Sequence, residues 1–339
     1  MANFTRIFLT GASGYIGGDI LHALRQTHPE YKIRVLVRDD VKAAAISKAY
    51  SDVQIVKGDL DAENLIEEEV SQTDVIVHAA SSSHIKSVEA IARGLARCSS
   101  STPAHWIQVS GASVLSISDI VAGRYGEGAE KVFSDVDGAD EVRDIIHQYS
   151  NKRVVDDFIL NLTGARTALV FPPIIYGQGR GVIKRRSVQI PELSRVTIET
   201  KQGVQVGKGE NTWSNVHISD VSDIFVKLVE TAVKGETEGL WNMDGLYFPG
   251  TGSLSFGKIS QKVAEAAKGL ELIDSIAIKE LNHDEADKLS PHGAVLWGTN
   301  AQQDSQRARK LLGWEPKGKS LDEEIPETVR IEAMRLEKL

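Results

Sequence analysis

The chain has 339 residues, enough to bury a large core and to form two packed regions. Its composition, 41% hydrophobic and 25% charged, is that of a soluble globular protein, and a net charge of −8 disfavours duplex nucleic acid and anionic membrane as partners. One cysteine, Cys98, excludes an intrachain disulfide framework and fits a reducing, cytoplasmic setting, and no apolar run approaches the length of a membrane span.

Arg6 to Thr10 predicts a short buried strand. Gly11, Gly14 and Gly17 follow at a spacing of three, and Ile16, Ile20 and Leu24, four apart with Leu21 beside them, predict a helix. The order strand, glycine turn, helix is the context a dinucleotide-binding loop requires. Gly11 makes a sharp turn, Gly14 lets the backbone approach a diphosphate, and Gly17 lets the helix pack close to the strand. The N–H groups at the start of the helix face the phosphates. The apolar run at the N-terminus is this first strand, so no signal peptide is expected, and Glu337-Lys338-Leu339 is a poor match to a peroxisomal tail.

His28-Pro29 closes the helix. Lys32 to Val37 predicts a second strand running into Arg38-Asp39-Asp40, and Val41 to Tyr50 a helix. Val53 to Val56 predicts a third strand ending in Lys57-Gly58-Asp59-Leu60, after which Asp61 can cap a helix through about Val70. Val75 to His78 predicts a fourth strand closing on Ala79-Ala80-Ser81, followed by a helix from Ile85 to Arg97. Trp106 to Val109 predicts a fifth strand ending at Ser110. This alternation means a Rossmann-type, doubly wound parallel sheet with helices on both faces. Ligands bind at the carboxyl ends of such strands, where Arg38, Asp59, Ala79, Ala80 and Ser110 would share one rim.

Residues 116 to 144 read as an irregular, acidic excursion. A helical pattern resumes from Asp144 to Leu162, and Arg166 to Phe171 predicts a strand broken by Pro172-Pro173. Beyond it the pattern is mixed: short strands near Val196 to Thr200, a turn at Gly207-Lys208-Gly209, and helices at Val221–Val233, Lys258–Lys268 and Ser305–Leu312. We therefore expect a dinucleotide-binding domain over 1–171. A smaller, mainly substrate-binding α/β region over 172–339 interleaves with it.

These segments together resemble the extended short-chain dehydrogenase/reductases of the NAD-dependent epimerase/dehydratase superfamily. Thr10-Gly11-Ala12-Ser13-Gly14-Tyr15-Ile16-Gly17 matches its cofactor signature, and Gly58-Asp59-Leu60 the segment whose aspartate lies by the adenine. Val77-His78-Ala79-Ala80 matches the fourth-strand motif. Phe171-Pro172-Pro173-Ile174-Ile175-Tyr176-Gly177 resembles the segment along the nicotinamide. Val216-His217-Ile218-Ser219-Asp220-Val221 and Ala308-Arg309-Lys310-Leu311-Leu312-Gly313-Trp314 resemble later motifs in the right order. Tyr176 to Asp220 further resembles a fungal-type subgroup of uncharacterised members. The resemblance implies a small-molecule substrate and assigns cofactor contacts to Thr10, Gly11, Ser13, Gly14, Tyr15, Ile16, Gly17, Asp59, Leu60, Ala79, Ala80, Ser81, Pro172 and Ile174. It implies no metal, and a homodimer through Ile85–Arg97 and Asp144–Leu162.

The residue after the second strand selects the cofactor. An acidic side chain there favours NAD, whereas an arginine accommodates the 2′-phosphate of NADP. Arg38, with Lys42 nearby, favours NADP(H) over NAD(H); the competing reading is an arginine paired with Asp39 or Asp40.

Family enzymes use a serine or threonine, a tyrosine, and a lysine four residues after the tyrosine. A tyrosine ionises near pH 10 unaided, so a nearby cation is needed for it to exchange protons near neutrality. Here Tyr149 is followed by Lys152 at three and Arg153 at four, both on the tyrosine's face if the helix continues. Either cation fits that role, and an equal alternative makes Tyr149 a packing residue with solvated cations. Ser110 is the first choice to polarise a carbonyl and Ser113 the second, since Gly111 occupies the usual hydroxyl position; both also suit backbone capping.

Other groups read as structural. Adjacent Asp156 and Asp157 diverge on a helix and suggest a solvated pair. His283-Asp284-Glu285 lacks metal spacing, and His217 suits packing or hydrogen bonding. Arg180, Lys184, Arg185 and Arg186 read as a solvated run rather than an anion site, and Trp213, Trp241 and Tyr247 suit either a pocket or the core. Three functions compete. The first is an NADP(H)-dependent oxidoreductase of a small or medium carbonyl or alcohol. The second is a sugar-nucleotide epimerase or dehydratase holding NAD tightly, and the third a non-catalytic NADP-sensing regulator.

Overall fold

The computed structural model describes residues 5–98 and 104–338, so Leu339 of the C-terminal tail lies outside them. The first half alternates strand and helix: β1 Arg6–Thr10, α1 Tyr15–Thr27, β2 Lys32–Val37, α2 Asp40–Ala49, β3 Gln54–Lys57, α3 Glu63–Ser71, β4 Val75–His78, α4 Ile85–Ala96 and β5 His105–Val109. It continues with α5 Ile117–Ala122, β6 Val132–Ser134, α6 Ala139–Gln148, α7 Val154–Leu160, β7 Arg166–Val170, β8 Ile174–Tyr176, α8 Gln189–Thr200, β9 Gly203–Val206, β10 Thr212–His217 and α9 Ile218–Lys234. The chain closes with β11 Leu246–Tyr247, β12 Gly252–Ser255, α10 Phe256–Gly269, β13 Ile278–Leu281, α11 His283–Leu289, α12 Gly293–Gly298, β14 Gln302–Asp304, α13 Arg307–Leu312 and α14 Leu321–Arg335.

The main sheet has seven strands in the order β11-β7-β5-β4-β1-β2-β3, all parallel. The strand order reverses between β1 and β4, so a crevice opens at their carboxyl ends, just after Thr10 and His78. Alternation along β1 sends Ile7 and Leu9 to one face and Phe8 to the other, all fully buried. One apolar layer joins Ile7 and Leu9 to α1 and α9 through Ile20, Leu24, Ile224 and Leu228. The opposite layer joins Phe8 to Val88 and Ile91 of α4 and to Val155 and Ile159 of α7.

The later half threads back into this frame. β11 extends the main sheet beside β7, while β8, β10 and β12 form a separate three-stranded sheet. Two-stranded parallel pairs join β9 to β13 and β6 to β14. No helix among the described residues is long and apolar enough to cross a membrane.

Several expected elements differ. Val196 to Thr200 is not a strand but the end of α8. Its β-branched residues favour a strand locally, yet Ile190, Leu193, Val196 and Ile198 are buried in the core, and tertiary burial outweighs that preference. Pro191 sits in the first turn, where its missing N–H costs nothing. The 116–144 excursion holds α5, β6 and the start of α6. Asp61 is not the cap of α3: Ala62 is, and Asp61 instead donates its backbone N–H to Asp59 Oδ1 at 3.0 Å.

The single helix expected from Asp144 to Leu162 is two helices with a break at Tyr149–Arg153. Ile146 and Val155 are both buried, nine positions apart. On a continuous helix at about 100° per residue they would point to opposite sides. The break resets the phase so that both reach the core.

Candidate active site

The site grows from the turn after β1. Gly11 has a positive φ of 83°, and a Cβ there would lie 2.6 Å from the Ala79 carbonyl. A Cβ at Gly17 would lie 2.3 Å from the Gly11 carbonyl oxygen. Gly14 donates its N–H to Gly11 O at 2.8 Å and caps α1 in an extended conformation, with no side chain on the helix terminus. The first-turn amides are thereby left facing the crevice. Beneath the turn, Thr10 Oγ1 lies 2.7 Å from His78 Nδ1. Burial drives the His78 imidazole down to about 3, so it is a neutral hydrogen-bonding strut.

A cavity of about 420 Å³ opens over this turn. It gathers Thr10, Gly11, Ser13, Gly14, Arg38, Asp59, Leu60, Ala79 and Ala80, all expected at the cofactor, together with Lys42, and adds Asp39, Asp61 and His84. Arg38 and Lys42 have no ion-pair partner among the described residues. Asp39 is occupied as the α2 cap, accepting the Lys42 N–H at 2.8 Å, and Asp40 pairs with Lys57. The pairing of Arg38 with either aspartate, weighed from the sequence, is therefore not formed.

Other residues expected at the cofactor lie outside that cavity. The Tyr15 hydroxyl donates to Gly177 O at 2.7 Å and is buried, with its ionisation pushed well up by burial. Ile16 packs on the α1 face of the core, and Gly17 lies within the helix against Gly11. Ser81 Oγ accepts the Ser83 N–H, and its carbonyl accepts from Gln108 Nε2 at 3.0 Å. The Pro172 carbonyl accepts the Ala112 N–H at 3.0 Å, and Ile174 is fully buried in β8.

A second cluster forms where β5 ends. The Arg153 guanidinium donates to Ser110 Oγ at 2.7 Å, to Ser113 Oγ at 3.3 Å and, through Nε, to Asp156 Oδ2 at 2.7 Å. Only 12% of its side chain is exposed, against 1% for Asp156. Asp156 is thus not a solvated acid. Burial pushes its carboxyl up, while Arg153 and the neighbouring Ser110 hydroxyl pull it down; the upward push prevails. Lys152 is exposed and without a partner among the described residues, because the helix break turns it away. Tyr149, the C-cap residue just past α6, is half-buried against the core, and its hydroxyl has no partner among the described residues.

The basic run is not solvated as a unit. Arg180 donates its N–H to Asp19 Oδ2 at 2.7 Å and its guanidinium to the same carboxylate, which also accepts from Ser222 Oγ at 2.7 Å. Asp19 is fully buried; burial pushes its carboxyl up, but Arg180 and Ser222 outweigh that and hold it below the usual range. Arg185 Nε donates to Gly179 O at 2.6 Å, and Arg186 pairs with buried Glu332 at 2.6 Å and with Glu192 at 2.7 Å. Lys184 alone of the four is exposed without a partner among the described residues. His217 caps α9, and Trp213, Trp241 and Tyr247 are core residues. No metal-binding group of His, Cys, Asp or Glu occurs among the described residues.

Asp156 and Asp19 escape a sequence reading for different reasons. Asp156 follows Arg153 by three, a spacing that places both on one helix face and was available as a signal. Asp19 lies between Gly18 and Ile20, and its partners are 161 and 203 residues away.

Residues 7–243 match the model of the NAD dependent epimerase/dehydratase family. Over 343 residues the chain is 36% identical to the oxidase ucsJ of Acremonium sp, covering 98% of each. The fold is similar to that of DesIV, a dTDP-glucose 4,6-dehydratase from Streptomyces venezuelae solved with NAD and TYD, at TM-score 0.67 and 15% identity over 98% of this chain and 97% of that one. It is also similar to UDP-glucose 4-epimerase from Thermotoga maritima, at TM-score 0.61 and 14% identity over 98% of this chain and all of that one.

Proposed function

Given that this chain belongs to the NAD-dependent epimerase/dehydratase family, we propose that it is an NADP(H)-dependent oxidoreductase acting on a small or medium carbonyl or alcohol. The observation that carries the cofactor choice is that Arg38 and Lys42, on the cavity over the glycine turn, form no ion pair among the described residues although Asp39, Asp59 and Asp61 line the same cavity. A guanidinium without a carboxylate partner suits a 2′-phosphate, and the carboxylate next to it in sequence, Asp39, accepts the Lys42 N–H as a helix cap. The cradle fits a dinucleotide: Gly11 has no room for a Cβ, and the first-turn amides of α1 are free to hold a diphosphate. When bound, the reduced nicotinamide supplies a hydride to a carbonyl carbon. Ser110, Ser113 and Arg153 are the donors this chain offers to the carbonyl oxygen, and Tyr149 is its candidate proton carrier.

Titrating the protein with NADPH and with NADH, by quenching or enhancement of nicotinamide fluorescence, tests the cofactor choice. NADPH is expected to bind more tightly, and Arg38→Ala to weaken NADPH about 10- to 100-fold while sparing NADH. Equal affinities in the wild type would overturn it. A carbonyl panel with NADPH then tests the chemistry. The likeness to sugar-nucleotide dehydratase and epimerase folds supports a second reading, a hydride removed and returned within one turnover. That reading requires NAD that leaves the purified protein only on denaturation. Binding of NADPH without turnover of any panel member would instead favour a sensor.

A further inference from the structure

We infer that Asp156 and Ser110 clamp Arg153, and that the clamp leaves Ser113, with one Nη1–H of Arg153, as the donor pair for the substrate oxygen. In this assignment Ser113 is a catalytic residue, and Asp156 is a positioning residue that acts through the guanidinium. The inference rests on the carbonyl chemistry proposed above and deepens it at the same site.

A guanidinium carries five N–H donors in one plane. The Nε–H goes to Asp156 Oδ2 at 2.7 Å. Nη2 is divided between Ser110 Oγ at 2.7 Å and the Asp156 carboxylate, with the Gly111 carbonyl farther off at 3.4 Å. Nη1 reaches Ser113 Oγ at 3.3 Å and keeps its second hydrogen.

Ser110 is engaged by the same network. Its oxygen accepts the short contact from the Nη2 that also meets the Asp156 carboxylate, so a substrate oxygen would have to compete with that carboxylate for the hydroxyl hydrogen. Ser110 is also 7% exposed, at the buried end of β5. Ser113 differs on both counts. Its oxygen accepts only the longer Nη1 contact, its hydrogen is uncommitted among the described residues, and it stands half-buried on the single 3-10 turn Ala112–Val114. That turn is pinned by the Ala112 N–H to Pro172 O at 3.0 Å, so the Ser113 hydroxyl is presented from rigid backbone.

Asp156 completes the device. Its carboxylate is fully buried, Oδ1 has no hydrogen-bond partner among the described residues, and Arg153 is the charged group that faces it. Holding an acid in that state fixes the guanidinium plane, and hence which N–H points toward Ser113.

Three variants test this: Ser113→Ala, Ser110→Ala and Asp156→Asn. Each is first checked for unchanged NADPH affinity, then assayed with NADPH and whichever panel carbonyl the wild type reduces fastest. Ser113→Ala is expected to lower kcat about 100-fold with little change in KM. Ser110→Ala is expected to cost clearly less, and Asp156→Asn to lower kcat rather than raise KM, with partial rescue by Asp156→Glu. A larger loss for Ser110→Ala than for Ser113→Ala overturns the assignment. A substrate-free measurement stands beside this one: a carbon-13 NMR titration of aspartate carboxyls, with the Asp156 signal identified by its absence in Asp156→Asn. Its midpoint is expected to rise in Ser110→Ala and to stay put in Ser113→Ala. Equal movement, or none, refutes the clamp. If the wild type binds NADPH yet reduces no panel carbonyl, the proposed reaction and the catalytic role of Ser113 both fail, while the titration still decides the clamp.

Discussion

Arg153 stands four residues after Tyr149, where the resembling family carries a lysine, and the two cations do different work in this setting. Lysine offers three donors on a flexible stem, whereas the Arg153 plane spans Ser110, Ser113 and Asp156 at once. Arg153→Lys is therefore expected to lose contact with at least one serine and to reduce turnover, even though it restores the family residue. Arg153→Ala removes the one charge that faces the buried Asp156 carboxylate among the described residues and is expected to destabilise the fold by about 3 kcal/mol. Urea unfolding of Arg153→Ala beside the wild type measures the stability loss, and the NADPH carbonyl assay measures the turnover of Arg153→Lys. Turnover of Arg153→Lys at or above wild type would contradict the positioning role. At this scale the sequence showed the residues but not their company. Lys152 and Arg153 were equivalent while one helix was assumed, and only the break between α6 and α7 separates them.

Among the elements, the segment from Gly177 to Ser187 bears most directly on the cofactor loop. It lies across the start of α1: Tyr15 bonds Gly177, a Cβ on Gly181 would lie 2.9 Å from the Gly18 backbone, and Asp19 holds Arg180. The glycines permit the approach, and the buried carboxylate fastens it to α1 and, through Ser222, to α9. Asp19→Ala would strip Arg180 and Ser222 of their shared acceptor and is expected to cost about 3 kcal/mol. It is also expected to weaken dinucleotide binding, because the α1 N-terminus loses its outer support. Thermal melts and NADPH titration of the variant check both effects; unchanged values would show the latch to be dispensable. Element identity was legible wherever periodicity was strong, as in β1, α1 and β4. It failed in α8, where β-branched residues serve a helix held by burial on α10 and α14.

The whole molecule carries a pH signature from its buried imidazoles. His78 is driven down to about 3 and His105 to about 4 by burial, against an ordinary value of 6.5. The folded state therefore refuses protons that the unfolded chain accepts, so stability falls as pH drops below 6.5 toward those values. At pH 5 the His78 contribution alone corresponds to about 2 kcal/mol. Buried Asp135, with its carboxyl pushed up, acts with the opposite sign and loses stability as pH rises past its folded value. A melting temperature that declines between pH 7 and pH 5, and declines less in His78→Gln, is the expected result. Parallel slopes for the two proteins would exclude His78 as the source.

The amino-acid sequence alone determined the α/β class, the parallel order of the early strands and the glycine turn, because each rests on local periodicity and on backbone freedom within a few residues. The same locality brought Arg38 to the end of β2. Tertiary structure decided which cation meets Ser110 and Ser113, that Asp156 and Asp19 are buried ion-pair partners, and that α8 is helical. Those outcomes depend on desolvation and on partners up to about two hundred positions away, and neither is encoded in a short window of sequence.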